Sequence, residues 1–299
     1  MIGSIFALIV ILIATIIGVP LQWISLQLNL PLRRWIPCFY HRIILHVLGI
    51  RVSVSGAPAA ERPLLFVSNH SSWIDILALS SITPLKFIAK SEVAGWPLFG
   101  LFAKLQRSVF VNRSKRQATA EVNREIAERL SEGDPVVLFG EGTSGDGNRV
   151  LPFRTALLGA MHQVLGEHGR GFLQPVSVSY TRLHGIPMGR QHRALAAWHG
   201  DISLVPHLLR VFRTGAIDVV VTFGTPVAVE ASADRKGLAA SLEDAVRRMN
   251  AAALTGRGEI AHVSKPLRAP ASQFPFRPKP GKSSPVAERR WASRENPSV

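Results

Sequence analysis

"PVVLFGEGTSGDGN" (135–148) is the stretch whose reading decides the fold. Gly140, Gly142 and Gly145 spell G-x-G-x-x-G directly after the apolar run 135–139, the spacing of a dinucleotide-binding loop leaving its strand. Such a loop opens its helix at once, so that the helix N-terminus meets the pyrophosphate. Here Asn148, Arg149 and Pro152 separate Gly145 from the next helical run, and several strand-helix units precede the motif, whereas a dinucleotide fingerprint usually sits in the first such unit. A hydrolase elbow fails too, because Asp146 stands where G-x-S-x-G around Ser144 demands glycine. The stretch therefore reads as a substrate loop built around Glu141, with its dinucleotide-like spacing a coincidence.

Outward from this loop, short apolar strands alternate with helical runs. "RVSVSG" (51–56), "LLFVSN" (64–69), "KFIAK" (86–90), "SVFVNR" (108–113), "PVVLFG" (135–140), "FLQPVSVSYT" (172–181) and "IDVVVTFGTPVAV" (217–229) read as strands. Between and after them, 73–81, 96–105, 117–133, 154–169 and 234–254 carry helical patterns. This alternation predicts an α/β fold with a mostly parallel sheet flanked by helices.

Residues 1–32 contain no Asp, Glu, Lys, Arg or His, and about 20 apolar residues suffice to cross a bilayer core. A transmembrane anchor over 1–24 is expected. The competing reading, a cleaved secretory signal, lacks a basic leading region and a small-residue cleavage site. Arg33 and Arg34 follow the apolar stretch, so the positive-inside rule puts the rest of the chain on the cytoplasmic side of a bacterial inner membrane, as a single-pass protein. The lone Cys38 excludes an intrachain disulfide. Residues 25–50 mix Trp35, Phe39 and Ile44 with Arg33, Arg34 and Arg42, as in a helix lying among lipid headgroups or an amphipathic helix packed on the domain.

A globular domain is expected over 51–256, followed by a basic Pro/Ser-rich tail over 257–299 that reads as disordered. The net charge of +15 favours anionic partners, an anionic membrane surface among them. A membrane-tethered nucleic-acid binder would use this charge, but no reader motif or basic strand with stacking aromatics is visible, so no nucleic acid is expected as partner.

Chemistry concentrates in "VSNHSSWIDIL" (67–77), where Asn69-His70 ends a buried strand and Asp75 follows five positions after the histidine. A helix beginning near Ser71 or Ser72 can turn Asp75 back toward the imidazole. A carboxylate on one ring nitrogen fixes the tautomer and leaves the other nitrogen to take a hydroxyl proton. Taken alone, this H-x4-D spacing is weak, since an acidic residue in a first helical turn also complements the dipole. His162, His184, His192 and His199 sit in no recognisable spacing, and Asp201 in "WHGD" fits a contact to substrate or an ordinary turn.

The set "NHSSWID" (69–75), "VFVNR" (109–113), "FGEGTS" (139–144) and "QPVSV" (174–178), in this order behind an apolar N-terminus, resembles the lysophospholipid (1-acylglycerol-3-phosphate) acyltransferase family over about residues 30–250. The resemblance implies His70 as general base and Asp75 as its orienting partner. It implies that a lysolipid hydroxyl attacks an acyl thioester carried by acyl carrier protein or CoA, with no covalent acyl-enzyme, no cofactor and no metal. Arg113, Glu141, Gly142, Thr143 and Ser144 would bind the acceptor, and Pro175 and Val176 would line the cleft. Ser144 departs from the family, which commonly has Arg after E-G-T to grip a phosphate bidentately. Arg113, Arg149 or Arg154 are available to compensate. "EGTSGDGNRVLPFRTALLGA", "QPVSVSYTRLHGIPMGR" and "WHGDISLVPH" resemble the bacterial branch that includes lyso-ornithine lipid acyltransferases, whose acceptor hydroxyl lies on a 3-hydroxyacyl chain without phosphate. The expected product is ornithine lipid, with phosphatidate from lysophosphatidate as the alternative.

Overall fold

The computed structural model describes residues 2–111, 118–154, 165, 170–230 and 233–257. The chain opens with α1 (Ile2–Gln27), a 3-10 turn over Pro31–Arg34 and α2 (Ile36–Val47). Then come β1 (Arg51–Ser55), β2 (Leu64–Ser68), α3 (Trp73–Ile82), β3 (Lys86–Lys90), α4 (Phe99–Leu105), β4 (Val109–Val111), α5 (Ala118–Ser131) and β5 (Val136–Phe139). The second half holds β6 (Gly171–Leu183), β7 (Ile186–Pro187), α6 (Arg190–Arg193), α7 (Leu204–Thr214), β8 (Ile217–Phe223), β9 (Val227–Val229) and α8 (Arg235–Thr255).

The strands lie in the order β1-β8-β6-β2-β5-β3-β4, with β7 and β9 on β6. Pairing is parallel for β1 with β8, for β2 with β5 and β6, and for β3 with β4 and β5. It is antiparallel where β6 meets β7, β8 and β9. The expected mostly parallel sheet is observed, and its uninterrupted apolar strands follow from it. All five residues of β2 and all four of β5 are buried, because helices cover both faces of a parallel sheet. One cluster packs Phe66, Ile74, Leu79, Val178 and Tyr180, and another packs Leu65, Val67, Ile126, Leu130 and Leu242.

Three readings change in detail. The run 217–229 is two strands, because the chain turns at Gly224, whose N–H donates to the Pro175 carbonyl at 2.9 Å, and a Cβ there would meet the Pro175 ring at 2.8 Å. Within 25–50, residues 25–27 finish α1 and the next α-helix is α2. Asn29 takes a left-handed φ of 51° and Pro31 opens the 3-10 turn, so the chain folds back between two helices. α2 buries Ile36, Cys38, His41, Ile44 and Leu45 while Phe39 and Ile43 stay exposed. Residues 186–214 contain β7, α6 and α7, which no periodic pattern announced. Of the expected helix over 154–169, all but residues 154 and 165 lie outside the described residues, as do the tail beyond 257, Arg113 and His162.

α1 is long and apolar enough to cross a bilayer, and Phe6, Leu12, Ile16 and Trp23 are exposed along it. Such a surface is compatible with a membrane helix and costly in water. Two of its polar residues bond to the protein: Thr15 shares a 2.9 Å hydrogen bond with Tyr40, and Gln22 donates to the carbonyls of Arg33 and Leu105 at 3.1 and 2.8 Å.

Candidate active site

The site forms where β2 and β5 end. Beyond the last paired residue of β2, Asn69 takes over the ladder with its side chain, donating to the Val178 carbonyl and accepting from the Val178 N–H, both at 2.9 Å. This fixes the exit angle of the chain, and His70 is the next residue. Its imidazole stacks on Phe139 at the end of β5, with centroids 3.9 Å apart and planes 19° apart.

Asp75 lies in the first turn of α3, and its side chain is fully buried. Its Oδ2 accepts from the N–H groups of Ser71 and Ser72 at 2.7 and 2.9 Å and lies 2.9 Å from His70 Nδ1. Its Oδ1 accepts from the Tyr180 hydroxyl at 2.5 Å. Burial, and then Asp75 itself, push the Tyr180 hydroxyl well above its usual pKa, so it stays a donor. A carboxylate is acceptor-only, so the proton between it and the imidazole sits on Nδ1 and the lone pair on Nε2. The His70 side chain keeps 18% of its surface, and no described residue hydrogen-bonds its Nε2. The pair that the H-x4-D spacing suggested is therefore assembled.

Glu141 is only 3% exposed. One of its oxygens accepts from the His70 N–H at 3.1 Å and the other from the Leu151 N–H at 2.9 Å. Burial pushes this carboxyl up to about 8 against the two N–H donors, which lower it. The loop is closed again by the Gly145 N–H donating to the His70 carbonyl at 2.8 Å. The glycines of this loop have structural reasons. A Cβ on Gly140 would meet the Phe153 ring at 2.7 Å, and one on Gly142, which takes a φ of 68°, would lie 2.9 Å from Arg154 Cδ. Packing thus requires the first two glycines of the motif, whereas a Cβ on Gly145 would make only ordinary contact, 3.6 Å from Leu151. Thr143 is exposed at the tip and Ser144 half-buried.

Pro175 and Val176 are buried in β6, opposite Val67 and Ser68, and Val176 has no exposed surface. They form the floor beneath the histidine loop and present no open wall in this state. His184 and His192 are exposed surface residues, as is Asp201, and His199 is half-buried. Sequence reasoning missed Tyr180, although the inward alternation of Val176, Val178 and Tyr180 was visible and a buried tyrosine hydroxyl requires a partner. It also missed the support that residues 189–198 give the site: the Trp198 N–H donates to the Ser71 carbonyl at 2.7 Å and Arg193 Nη1 to Asn148 Oδ1 at 3.1 Å.

A family model described as acyltransferase matches residues 50–179. A lyso-ornithine lipid O-acyltransferase of Brucella abortus is 51% identical over 80% of this chain and 90% of its own. One of Rhizobium meliloti is 44% identical over 87% and 89%. A 1-acyl-sn-glycerol-3-phosphate acyltransferase of Neisseria meningitidis serogroup B is 32% identical over 69% and 77%.

Proposed function

This chain belongs to the acyltransferase family, and from that premise we propose that it transfers an acyl group from a thioester to the hydroxyl of lyso-ornithine lipid, with His70 as general base. The single observation that carries the chemistry is the imidazole held at Nδ1 by a buried, fully satisfied carboxylate while no described residue bonds Nε2. The acceptor O–H gives its proton to Nε2 as the oxygen attacks the thioester carbonyl. The tetrahedral intermediate then expels the thiolate, which recovers the proton from His70. Asp75 holds the ring and stabilises the imidazolium. The donor is acyl carrier protein or CoA.

Glu141 acts by bracing the two ends of the acceptor loop, with Gly142, Thr143 and Ser144 facing the acceptor. Pro175 and Val176 support the loop from below, and Arg113 adds a cation. The basic residues after α1 suit an anionic cytoplasmic leaflet.

The choice of acceptor is supported by the relatives of highest identity named above and by Ser144. Arg at this position would grip a phosphate and repel the ornithine ammonium. The test is the ratio of kcat/KM for lyso-ornithine lipid and lysophosphatidate in wild type and Ser144→Arg. The wild type is expected to prefer lyso-ornithine lipid, and the substitution to move the ratio toward lysophosphatidate by about tenfold or more. A wild type that prefers lysophosphatidate makes the protein a phosphatidate-forming enzyme instead.

A further inference from the structure

The loop 141–150 is tied at Gly145 to His70 and at Asn148 to Arg193. Arg193 ends α6 and is only 8% exposed. Its backbone is against the site: a Cβ built on Gly147 would lie 3.7 Å from Arg193 Cβ and 3.9 Å from Ser71 Cβ. Its guanidinium is poorly satisfied for its burial. Nη1 donates to the neutral Asn148, Nε is buried without a partner among the described residues, and no described carboxylate lies within 4.0 Å. Asp146, the acidic residue nearby, takes its two hydrogen bonds from Asn148 instead. Burial, and then Arg190 beside it, lower the Arg193 pKa while Asp146 opposes them. A desolvated cation with a spare in-plane donor is costly unless an anion completes it.

An amino acid headgroup acylated on its α-nitrogen keeps its α-carboxylate, a planar anion that matches a guanidinium edge. Only the amide and a short carbon path separate that carboxylate from the hydroxyl to be acylated. A loop bonded to both His70 and Arg193 spans these two ends of the acceptor. We propose that Arg193, braced by Asn148, binds the α-carboxylate of the acceptor lipid and selects an N-acyl amino acid headgroup; this rests on the acceptor reading above. It also accounts for a site that dispenses with Arg at position 144: the anion to be held is a carboxylate, and its cation comes from α6.

The experiment uses the full chain in mixed micelles with two acceptors, lyso-ornithine lipid and its α-carboxamide analogue, assayed for wild type, Arg193→Gln and Arg193→Lys. Wild type is expected to favour the carboxylate by about 10- to 100-fold in kcat/KM, the worth of one charge-assisted contact. Arg193→Gln is expected to raise KM for lyso-ornithine lipid by the same factor with little change in kcat, to leave the carboxamide unaffected, and to be partly rescued in Arg193→Lys. A wild type indifferent to the carboxamide overturns the assignment, and that arm needs no variant. Equal losses on both acceptors in Arg193→Gln also overturn it, as they mark a structural role. A wild type inactive on lyso-ornithine lipid but active on lysophosphatidate overturns the acceptor reading itself.

Discussion

Two buried charge clusters sit at opposite ends of the same strands. At the amino ends of β3 and β5, Lys86 is 4% exposed and ion-paired with Glu132 and, at 3.4 Å, with Asp134. Arg107 and Arg129 complete Glu132 at 2.7 and 3.1 Å, and Arg34, just after α1, reaches Asp134 at 3.1 Å. Burial lowers the Lys86 pKa; it raises that of Glu132, where Lys86, Arg107 and Arg129 outweigh it and hold the carboxyl below its usual range. At the carboxyl ends, Asp75 is more deeply buried, but its partner His70 keeps 18% of its side-chain surface and no described residue bonds its Nε2. Burial therefore occurs at both ends, as does shifted titration, in Lys86 and Glu132 at one end and in Glu141 and Tyr180 at the other, so neither distinguishes them. What distinguishes them is where the charges terminate. The amino-end cluster closes on itself and pins the segment after α1 to the sheet, while the carboxyl-end cluster leaves one ring nitrogen that no described residue bonds, the atom proposed above as the base.

The comparison breaks most visibly at Glu132. Replacing Glu132 by Leu takes the nearest anion from Lys86 and leaves Asp134, so stability is expected to fall by up to about 3 kcal/mol, with kcat per folded molecule unchanged. Denaturant unfolding alongside an active-enzyme count checks this. Loss of kcat at unchanged stability would give the amino-end cluster a part in the chemistry.

A smaller effect sharpens the carboxyl end. Glu141 titrates near 8 in the folded protein against an ordinary 4.5, so it binds its proton more tightly when folded. Its contribution to stability is present below pH 4.5 and is lost as pH rises through 8. From about pH 5 to about pH 9 the Tm of wild type is expected to fall further than that of Glu141→Gln, which lacks this titration. Parallel Tm profiles would mean that the two backbone donors keep the carboxylate ionised throughout.

The sheet was legible because β2 and β5 are continuous apolar runs and β6 alternates Val176, Val178 and Tyr180 with serines, and the His70–Asp75 pair because a first helical turn returns position five to the strand end. Less was legible where the cause is long-range. Tyr180 reaches Asp75 from a strand 105 positions away, and its hydroxyl reads in sequence as one more β-forming residue. Gly140 and Gly142 look like a phosphate loop until Phe153 and Arg154 are seen packed on them. Arg193 lies in a four-residue helix too short to carry any periodicity, and its burial depends on the loop it supports.

Single-turnover acyl transfer to lyso-ornithine lipid by His70→Ala, with its Tm recorded beside that of wild type, tests the central claim most directly. The imidazole is partly exposed and only its Nδ1 edge is bonded, so Tm is expected to change little while the rate falls by about 10²- to 10⁴-fold. A variant that keeps near-wild-type turnover, with the protein folded, would contradict His70 as the base and with it the distinction between the two ends of the sheet.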